Sequence, residues 1–319
     1  MENTNKANSQ IVIFTHGIDI DGFGGAILGK LAFENPTIVF ADNFDLDEKF
    51  VKTLQTNPQF EKIYIVDHCP SFDLCKKIQE TPEIASKIMV FDHHKSRQGK
   101  EDQFDFVNLV VENAQGKQSG TSLFYDYLTR SGLLRPTKAL KEFAKLTTLY
   151  DNWLWKEDEK DGKNAYRLNT FFQAVGREKF IGMVLKTLQR NSDKFEFNEE
   201  ENQIIDNFIQ SFNAKVNSYI KQMKIAEHNG LKFGFVEVED LFKNDIPEVL
   251  RSLNNPLGIS YVMMPIKNRE SVSLRHIQDV DLSKIAEEFG GGGHKYAASF
   301  PKSSAKYQTL IKTFDDKNK

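Results

Sequence analysis

Short apolar runs alternate with helix-length segments through the first half of the chain. The runs are QIVIFTH (10–16), PTIVFAD (36–42), KIYIVDH (62–68), IMVFDHH (88–94) and VNLVV (107–111). They are nearly continuous and rich in β-branched residues, which is typical of strands that are buried on both faces of a parallel sheet. The segments between them, for example 24–33 and 71–79, have the length of helices. This alternation predicts an α/β fold with a doubly wound parallel sheet.

The pattern becomes helical after residue 119. SGTSLFYDYLTRSG (119–132) and TKALKEFAKLTTLYD (137–151) each begin with a Ser or Thr start signal and show helical periodicity. A single apolar stripe then runs through 199–227, which predicts one long helix.

Strand patterns return near the carboxyl end of the chain. They lie at 232–239, 259–266 and 271–277, and a predicted helix at 281–289 ends in GGGGH. We therefore expect a first domain at 1–190, a helical linker at 191–228 and a smaller α/β domain at 229–319. We place the active-site cleft between the two domains.

The composition argues against several classes of protein. The chain has 319 residues, with 42 basic and 45 acidic side chains and a net charge of −3. This balance argues against a protein that coats long duplex nucleic acid. No apolar run approaches the roughly 18 residues that a membrane span needs, and the polar start MENTNKANSQ has no apolar signal core. Two cysteines are too few for a disulfide framework, so we expect a cytoplasmic protein without membrane contact.

Acidic and histidine side chains follow the predicted strands, at the edge where open α/β sheets gather their functional groups. These residues are His16, Asp19 and Asp21, then Asp67 and His68, then Asp92, His93 and His94, and finally Asp151 after a later helix. Taken singly, each has an ordinary explanation as a capping, helix-end or buried hydrogen-bonded residue. Taken together, they would repel one another unless cations lay between them. Mixed His and Asp ligation suits Mn²⁺, and also Zn²⁺, Fe²⁺ or Co²⁺.

The glycine run 290–293 suggests a second kind of site. Glycine lets backbone N–H groups approach a phosphate closely. One glycine would be enough to end the preceding helix, so four glycines followed by His294 favour an anion cradle. Arg275 could add a bidentate contact to a phosphate, although a surface salt bridge is the alternative.

The motifs HGIDIDG, VDH, DHH and YDNW, followed by GGGGHKYAASF, occur here in the order found in DHH phosphoesterases. The chain resembles this family over nearly its whole length, with a DHH domain and a DHH-associated C-terminal domain. Within the family it looks most like the oligoribonucleases of the nanoRNase B type.

The resemblance implies roles for individual residues. It implies two Mn²⁺ ions, with Mg²⁺, Co²⁺ or another divalent ion as possible replacements. His16 and Asp19 would hold one ion, Asp21, His93 and Asp151 the other, and Asp67 would bridge them. His94 would face the scissile phosphate, and Asp92 would orient its neighbours. The implied substrate-binding residues are Arg275, Gly291, Gly292, Gly293 and His294.

The implied activity is hydrolysis of short single-stranded RNA, of about two to five nucleotides, to nucleoside monophosphates through two-metal activation of water. The same chemistry on pApA, pGpG, a cyclic dinucleotide or 3′-phosphoadenosine 5′-phosphate stays open. A single-strand DNA exonuclease and a non-catalytic nucleotide sensor are weaker alternatives. The sequence leaves the oligomeric state open.

Overall fold

The computed structural model describes residues 10–316, with side chains up to residue 312. The chain divides into two compact units, Met1–Phe208 and Ile209–Lys319. The three-part division predicted from the sequence stays a prediction. Within the described residues, no helix is both long enough and apolar enough to cross a membrane. The predicted cytoplasmic location stays a prediction as well.

The first unit contains a five-stranded sheet in which every neighbouring pair is parallel. Its strands are β1 (Ile11–His16), β2 (Thr37–Ala41), β3 (Lys62–Val66), β4 (Ile88–Asp92) and β5 (Val107–Leu109). They lie in the order β2-β1-β3-β4-β5, which confirms the predicted strands and the parallel sheet. The order reverses between β1 and β3, and such sheets bind ligands at the carboxyl ends of the strands beside that reversal.

Helices pack on both faces of this sheet. The first four are α1 (Ile20–Ala32), α2 (Leu46–Thr56), α3 (Phe72–Gln79) and α4 (Pro82–Ala85). On one face Phe14 packs on Phe50 of α2, with ring centroids 5.7 Å apart. Gly25 lets α1 lie close to the sheet, because a Cβ there would come within 2.7 Å of the Val66 side chain.

The rest of the first unit is mainly helical. A small hairpin, β6 (Glu112–Asn113) and β7 (Gly116–Lys117), comes first. The helices that follow are α5 (Gly120–Arg130), α6 (Lys138–Asp151), α7 (Gly162–Val175) and α8 (Arg177–Arg190). The helix α9 (Glu199–Gln222) begins in the first unit and continues into the second. On the other face of the sheet Tyr64 packs on Phe124 of α5, with ring centroids 5.3 Å apart.

The prediction of one helix over 199–227 is wrong at its carboxyl end. The helix α9 stops at Gln222, and Lys224–His228 forms strand β8, which pairs with β9 (Leu231–Phe235). The two strands are joined by Asn229 and Gly230, both with positive φ. An Asn-Gly pair is the preferred sequence of a two-residue hairpin turn, and this local preference ends the helical stripe.

The second unit contains a six-stranded sheet in the order β12-β13-β11-β10-β9-β8. Its remaining strands are β10 (Tyr261–Pro265), β11 (Ser271–His276), β12 (Gly292–His294) and β13 (Ala297–Pro301). The helices are α10 (Asp245–Ser252), α11 (Leu282–Glu288) and α12 (Ala305–Asp316). Two apolar clusters, one with Leu274 and one with Val262, fill the core of this unit. The predicted separate α/β unit is confirmed.

Candidate active site

The turn between β1 and α1 positions His16 and Asp19. The strand β1 ends at His16, and Asp19 is the N-cap of α1, where its Oδ1 accepts a 3.0 Å hydrogen bond from the Gly22 amide. The other oxygen, Oδ2, lies 2.9 Å from His16 Nδ1. Gly22 is required for this tight turn, because a Cβ there would lie 2.0 Å from the His16 carbonyl oxygen. The two predicted ligands of one ion are therefore adjacent.

Asp21 is fully buried and held by a distant helix. Its Oδ2 accepts a 2.7 Å hydrogen bond from the Gly120 amide, and its Oδ1 a 2.8 Å bond from the Thr121 amide. These are the first two residues of α5. A helix N-terminus stabilises a carboxylate through its free N–H groups and its dipole. Asp21 therefore stays in place although it is surrounded by other acids.

Asp67 stands directly after β3, at the reversal of strand order, and faces two histidines. Its Oδ2 lies 3.7 Å from His16 Nδ1, whereas its Oδ1 lies 3.3 Å from His93 Nε2. The side chain is almost completely buried, and its backbone has a left-handed φ of 58°. A non-glycine residue in this conformation is strained, and such strain gathers at functional sites. The geometry suits the bridging role that the sequence predicts for Asp67.

The DHH motif follows β4 and divides into an orienting acid and two histidines. Asp92 Oδ1 accepts hydrogen bonds from the His93 amide at 2.9 Å and pairs with His94 Nδ1 at 2.7 Å. His93 Nε2 lies 3.6 Å from Asp21 Oδ2 and 3.4 Å from Asp151 Oδ2. Asp92 therefore fixes the ring of His94 and the backbone of His93, and the structure brings together the three residues predicted for the second ion.

Several buried atoms at this site have no hydrogen-bond partner. His93 Nε2 and Asp67 Oδ1 are both buried without one, although they lie only 3.3 Å apart. Buried polar atoms are normally satisfied, so orphaned atoms that face one another need an explanation. Oxygen and imidazole atoms in this arrangement fit a divalent cation.

The donor atoms form overlapping groups of metal-ligand size. One group is His16, Asp19 and Asp67, a second is Asp21, His93 and Asp151, and a third is Asp67, His93 and His94. Within each group the donor atoms lie within 4.8 Å of one another. The first two groups contain all six metal ligands that the sequence predicts, and their assignment as ligands remains a proposal.

Burial and mutual repulsion perturb the carboxyl groups. Burial, followed by repulsion from Asp21 and Asp19, raises the pKa of Asp67 well above its ordinary value. The same causes raise the pKa of Asp151 to about 8. Burial lowers the pKa of His93, which keeps its imidazole neutral and able to bind a metal. The raised pKa values favour protons on Asp67 and Asp151 when no cation is bound, and a divalent ion would displace those protons.

Two further residues, Asp42 and His68, lie beside His16. Asp42 Oδ1, just beyond β2, lies 3.6 Å from His16 Nε2 and is buried without a hydrogen-bond partner. The ring of His68 lies 5.3 Å from that of His16, and its Nε2 is also without a partner. Asp42 was not among the site residues predicted from the sequence. The signal was available, since Asp42 ends a strand run just as Asp67 follows β3 and Asp92 ends β4.

The second unit places part of the predicted anion cradle around one cavity. Arg275, Gly292 and Gly293 line this cavity of about 310 Å³, together with Lys243 and Arg269. The predicted residues Gly291 and His294 are not part of its lining.

Three of the four glycines have a local structural reason. Gly290 adopts a positive φ of 76° just past the end of α11. A Cβ on Gly291 would lie 2.1 Å from the Ser299 carbonyl oxygen, and one on Gly293 would lie 2.5 Å from the Ala298 Cα. A Cβ on Gly292 would meet open space. The glycine run therefore serves the packing of β12 on β13 as well as leaving an open cavity.

Comparisons with known proteins agree with this architecture. A model of the DHH family, N-terminal domain, matches residues 10–149, and a DHHA1 domain model matches residues 230–319. The chain is 28% identical over 318 residues to oligoribonuclease NrnB from Bacillus subtilis (strain 168), covering 94% of this chain and 74% of that protein. A solved structure of a pGpG-specific phosphodiesterase, PggH from Vibrio cholerae, is similar in fold. Its TM-score is 0.52 at 11% identity, and the match covers 96% of this chain and 99% of the other. The chain belongs to the DHH family, with a DHH domain followed by a DHHA1 domain.

Proposed function

We propose that this protein is a divalent-metal-dependent phosphodiesterase that hydrolyses short RNA, about two to five nucleotides long, to nucleoside monophosphates. The observation that carries the proposal is the position of Asp67, whose two oxygens face the two groups of donor atoms. The identity of 28% with an oligoribonuclease supports short RNA as the substrate. Mn²⁺ is our choice of ion because the donor set mixes imidazole with carboxylate.

The proposal assigns the residues to two ions. His16 and Asp19 would hold one ion, and Asp21, His93 and Asp151 would hold the other. Asp67 would be shared, because its oxygens lie 3.7 Å from His16 and 3.3 Å from His93. Such a pair of ions supplies a nucleophilic water at neutral pH and stabilises charge on the phosphate during displacement. Asp21 and Asp67 are nearly inaccessible to solvent, so the protein itself fixes where the donor atoms lie.

The exposure of His94 supports a role at the substrate rather than at the ions. Its side chain is 48% exposed, whereas that of His93 is 10% exposed. The hydrogen bond to Asp92 raises the pKa of His94, which favours the protonated imidazole near neutral pH. We propose that His94 donates a proton or a hydrogen bond to the phosphate oxygens, with Asp92 holding its ring.

Exposed aromatic side chains lie close in sequence to two of the acids. Phe44 is 86% exposed, two residues after Asp42, and Trp153 is 61% exposed, two residues after Asp151. Aromatic side chains near a phosphate site bind nucleobases by stacking, at about 1–3 kcal/mol per base. These positions support a nucleotide substrate rather than an inorganic one.

The deciding experiment is a time course with 5′-labelled RNA in Mn²⁺ and in EDTA. The substrates are a dinucleotide, a trinucleotide, a pentanucleotide and a 24-mer, with pApA, pGpG and a cyclic dinucleotide alongside. We expect rapid loss of the short RNAs, conversion to mononucleotides, slow loss of the 24-mer and no reaction in EDTA. Loss of the cyclic dinucleotide alone would support phosphodiester hydrolysis but show that short RNA is not the substrate. Equal rates on all lengths would refute the preference for short RNA.

A further inference from the structure

A large cavity lies in the first unit, away from the proposed ligands. It has a volume of about 560 Å³ and lies between α5, α6, the β6–β7 hairpin and the segment 154–161. Tyr125, Ala144, Leu149 and Leu154 form its apolar wall. None of the proposed metal ligands lines it. Its size falls within the roughly 300–1,000 Å³ of small-molecule sites.

Lysines surround this cavity from three separate elements. Lys117 belongs to β7, and Lys160 to the segment after α6. Lys138, Lys141 and Lys145 follow one another at spacings of three and four, so they share one face of α6. Five lysines stand against three carboxylates in the lining, although the whole chain has a net charge of −3. The lining therefore presents a local positive charge to an occupant.

The three carboxylates are already engaged. Asp126 pairs with Arg130 at 3.3 Å, Asp161 pairs with Lys145 at 2.5 Å, and Glu142 Oε2 accepts a 3.0 Å hydrogen bond from the Phe195 amide. Two of the three carboxylates are therefore already paired with a cation.

Three of the lysines are left for an occupant. Among the described residues, the ammonium groups of Lys117, Lys141 and Lys160 have no carboxylate within 4.0 Å. An apolar wall beside uncompensated ammonium groups suits a ligand with a flat apolar body and an anionic group.

We propose that this cavity is a second nucleotide site, which binds a nucleoside monophosphate outside the metal centre. The base would lie against Tyr125, Leu149 and Leu154, and the phosphate would contact Lys141 and Lys160. The charge and the apolar wall point to an aromatic anion. The choice of a mononucleotide rests on the proposed function, because that reaction releases one.

The cavity adjoins the residues that fix the first turn of α5. Ser122 lines the cavity and completes the capping box with Ser119. Thr148 also lines it, and its Oγ1 lies 2.9 Å from Ser119 Oγ. The same turn of α5 holds Asp21 through its N–H groups. A nucleotide in the cavity would therefore contact the support of a proposed metal ligand without contacting the ligand itself.

The test is calorimetric titration of the full chain with AMP, adenosine and inorganic phosphate in EDTA. We expect AMP to bind at least about tenfold more tightly than either fragment, since only AMP uses both halves of the cavity. Lys141→Glu/Lys160→Glu should weaken AMP binding by at least about tenfold, because the phosphate would face two carboxylates. Leu154→Ala should weaken the binding of AMP and of adenosine but not that of inorganic phosphate, because Leu154 would contact only the base. Lys52→Glu, an exposed change on α2, is the matched control and should leave binding unchanged.

Three results would overturn the proposal. They are no AMP binding in EDTA, AMP binding that the double lysine variant leaves intact, and AMP binding lost in Arg275→Ala instead. Thermal melts of each variant check that it is folded. The titration needs neither metal nor turnover. AMP can therefore bind in this cavity even if the protein does not hydrolyse RNA, and RNA hydrolysis can be observed even if AMP does not bind here.

Discussion

Asp67 combines three features that the sequence could only partly predict. Its place after a buried strand marks it as a site residue, and the family motif predicts its bridging role. The positive φ of 58° is invisible in the sequence, because aspartate rarely adopts it without support from its surroundings. That support includes the close approach of Gly120, where a Cβ would lie 2.5 Å from the Asp67 Cα.

Replacing Asp67 tests the shared carboxylate. We expect Asp67→Ala to lower Mn²⁺-dependent turnover by more than about 100-fold, beyond the roughly 10–100-fold cost of losing an outer-shell partner. Bound Mn²⁺, measured by equilibrium dialysis, should fall below the wild-type number. The matched control is Asp73→Ala on the exposed face of α3, which should change neither quantity. Retention of a tenth of the activity would rule out the bridging role.

The Asp92–His94 pair gives a prediction for pH dependence. The Asp92 hydrogen bond raises the pKa of His94, so Asp92→Asn should lower that pKa. If protonated His94 is the active form, activity is lost as pH rises through its pKa. The alkaline limb of kcat/KM should therefore move to lower pH in the variant. The check is a pH–rate profile at saturating Mn²⁺, and an unmoved limb would remove His94 from this role.

Asp42 was missed because it stands alone. It is one acid after a strand, whereas Asp67 and Asp92 are each followed by a histidine. Only the sheet order, with β2 beside β1, brings Asp42 within 3.6 Å of His16. Strand order depends on long-range pairing, so this contact was not available from local patterns.

At the scale of elements, the first turn of α5 joins the sheet to the site. Gly120→Ala should push this turn away from Asp67 and break the Gly120–Asp21 hydrogen bond of 2.7 Å. We expect a loss of about 1–3 kcal/mol in the free energy of unfolding, as for other overpacked sites. Activity should fall at least about tenfold.

The matched control is Gly182→Ala on α8. A Cβ there would meet nothing within 4 Å, and the position is an exposed helix interior. This change should stabilise the protein by up to about 1 kcal/mol and leave activity unchanged. Urea denaturation and RNA turnover measure both effects. Similar losses in the two variants would contradict the argument from close packing.

Helices and strands were predictable where their own residues carried a clear hydrophobic pattern. The parallel strands carried continuous apolar runs, and α5 and α6 carried start signals. The strand β12 was missed because a glycine-rich run has no apolar alternation, and only its pairing with β13 defines it as a strand. The strand β13 was missed as well, since its short sequence AASFP carries only a weak apolar pattern. The strand β8 was hidden by the stripe of α9.

For the whole molecule, the crowded acids link stability to pH and metal. Asp67 and Asp151 have raised pKa values in the folded protein. Their contribution to the free energy of unfolding is therefore fully present below the pKa of the unfolded chain. It is lost as pH rises through the pKa of the folded protein, which is about 8 for Asp151. The Tm of metal-free protein should fall between about pH 5 and 8.5, and Mn²⁺ should raise the Tm most at the alkaline end.

Asp151→Asn isolates one of these groups. In EDTA its Tm should fall less with pH than the Tm of the wild type, because the amide carries no charge at any pH. Differential scanning calorimetry at several pH values makes the comparison. Parallel curves for the two proteins would show that Asp151 does not titrate in this range.

The hydrogen bonds between Asp21 and the start of α5 also set an order of events during synthesis. They join positions 99 and 100 residues apart. A nascent chain that ends before residue 120 therefore has β1 to β5 but no fixed Asp21, and Asp151 is made later still. At roughly 5–20 residues per second, the ribosome makes Asp151 about 7–27 s after His16. The proposed metal centre would thus be completed late in translation, after the sheet whose strand ends lead to most of its residues.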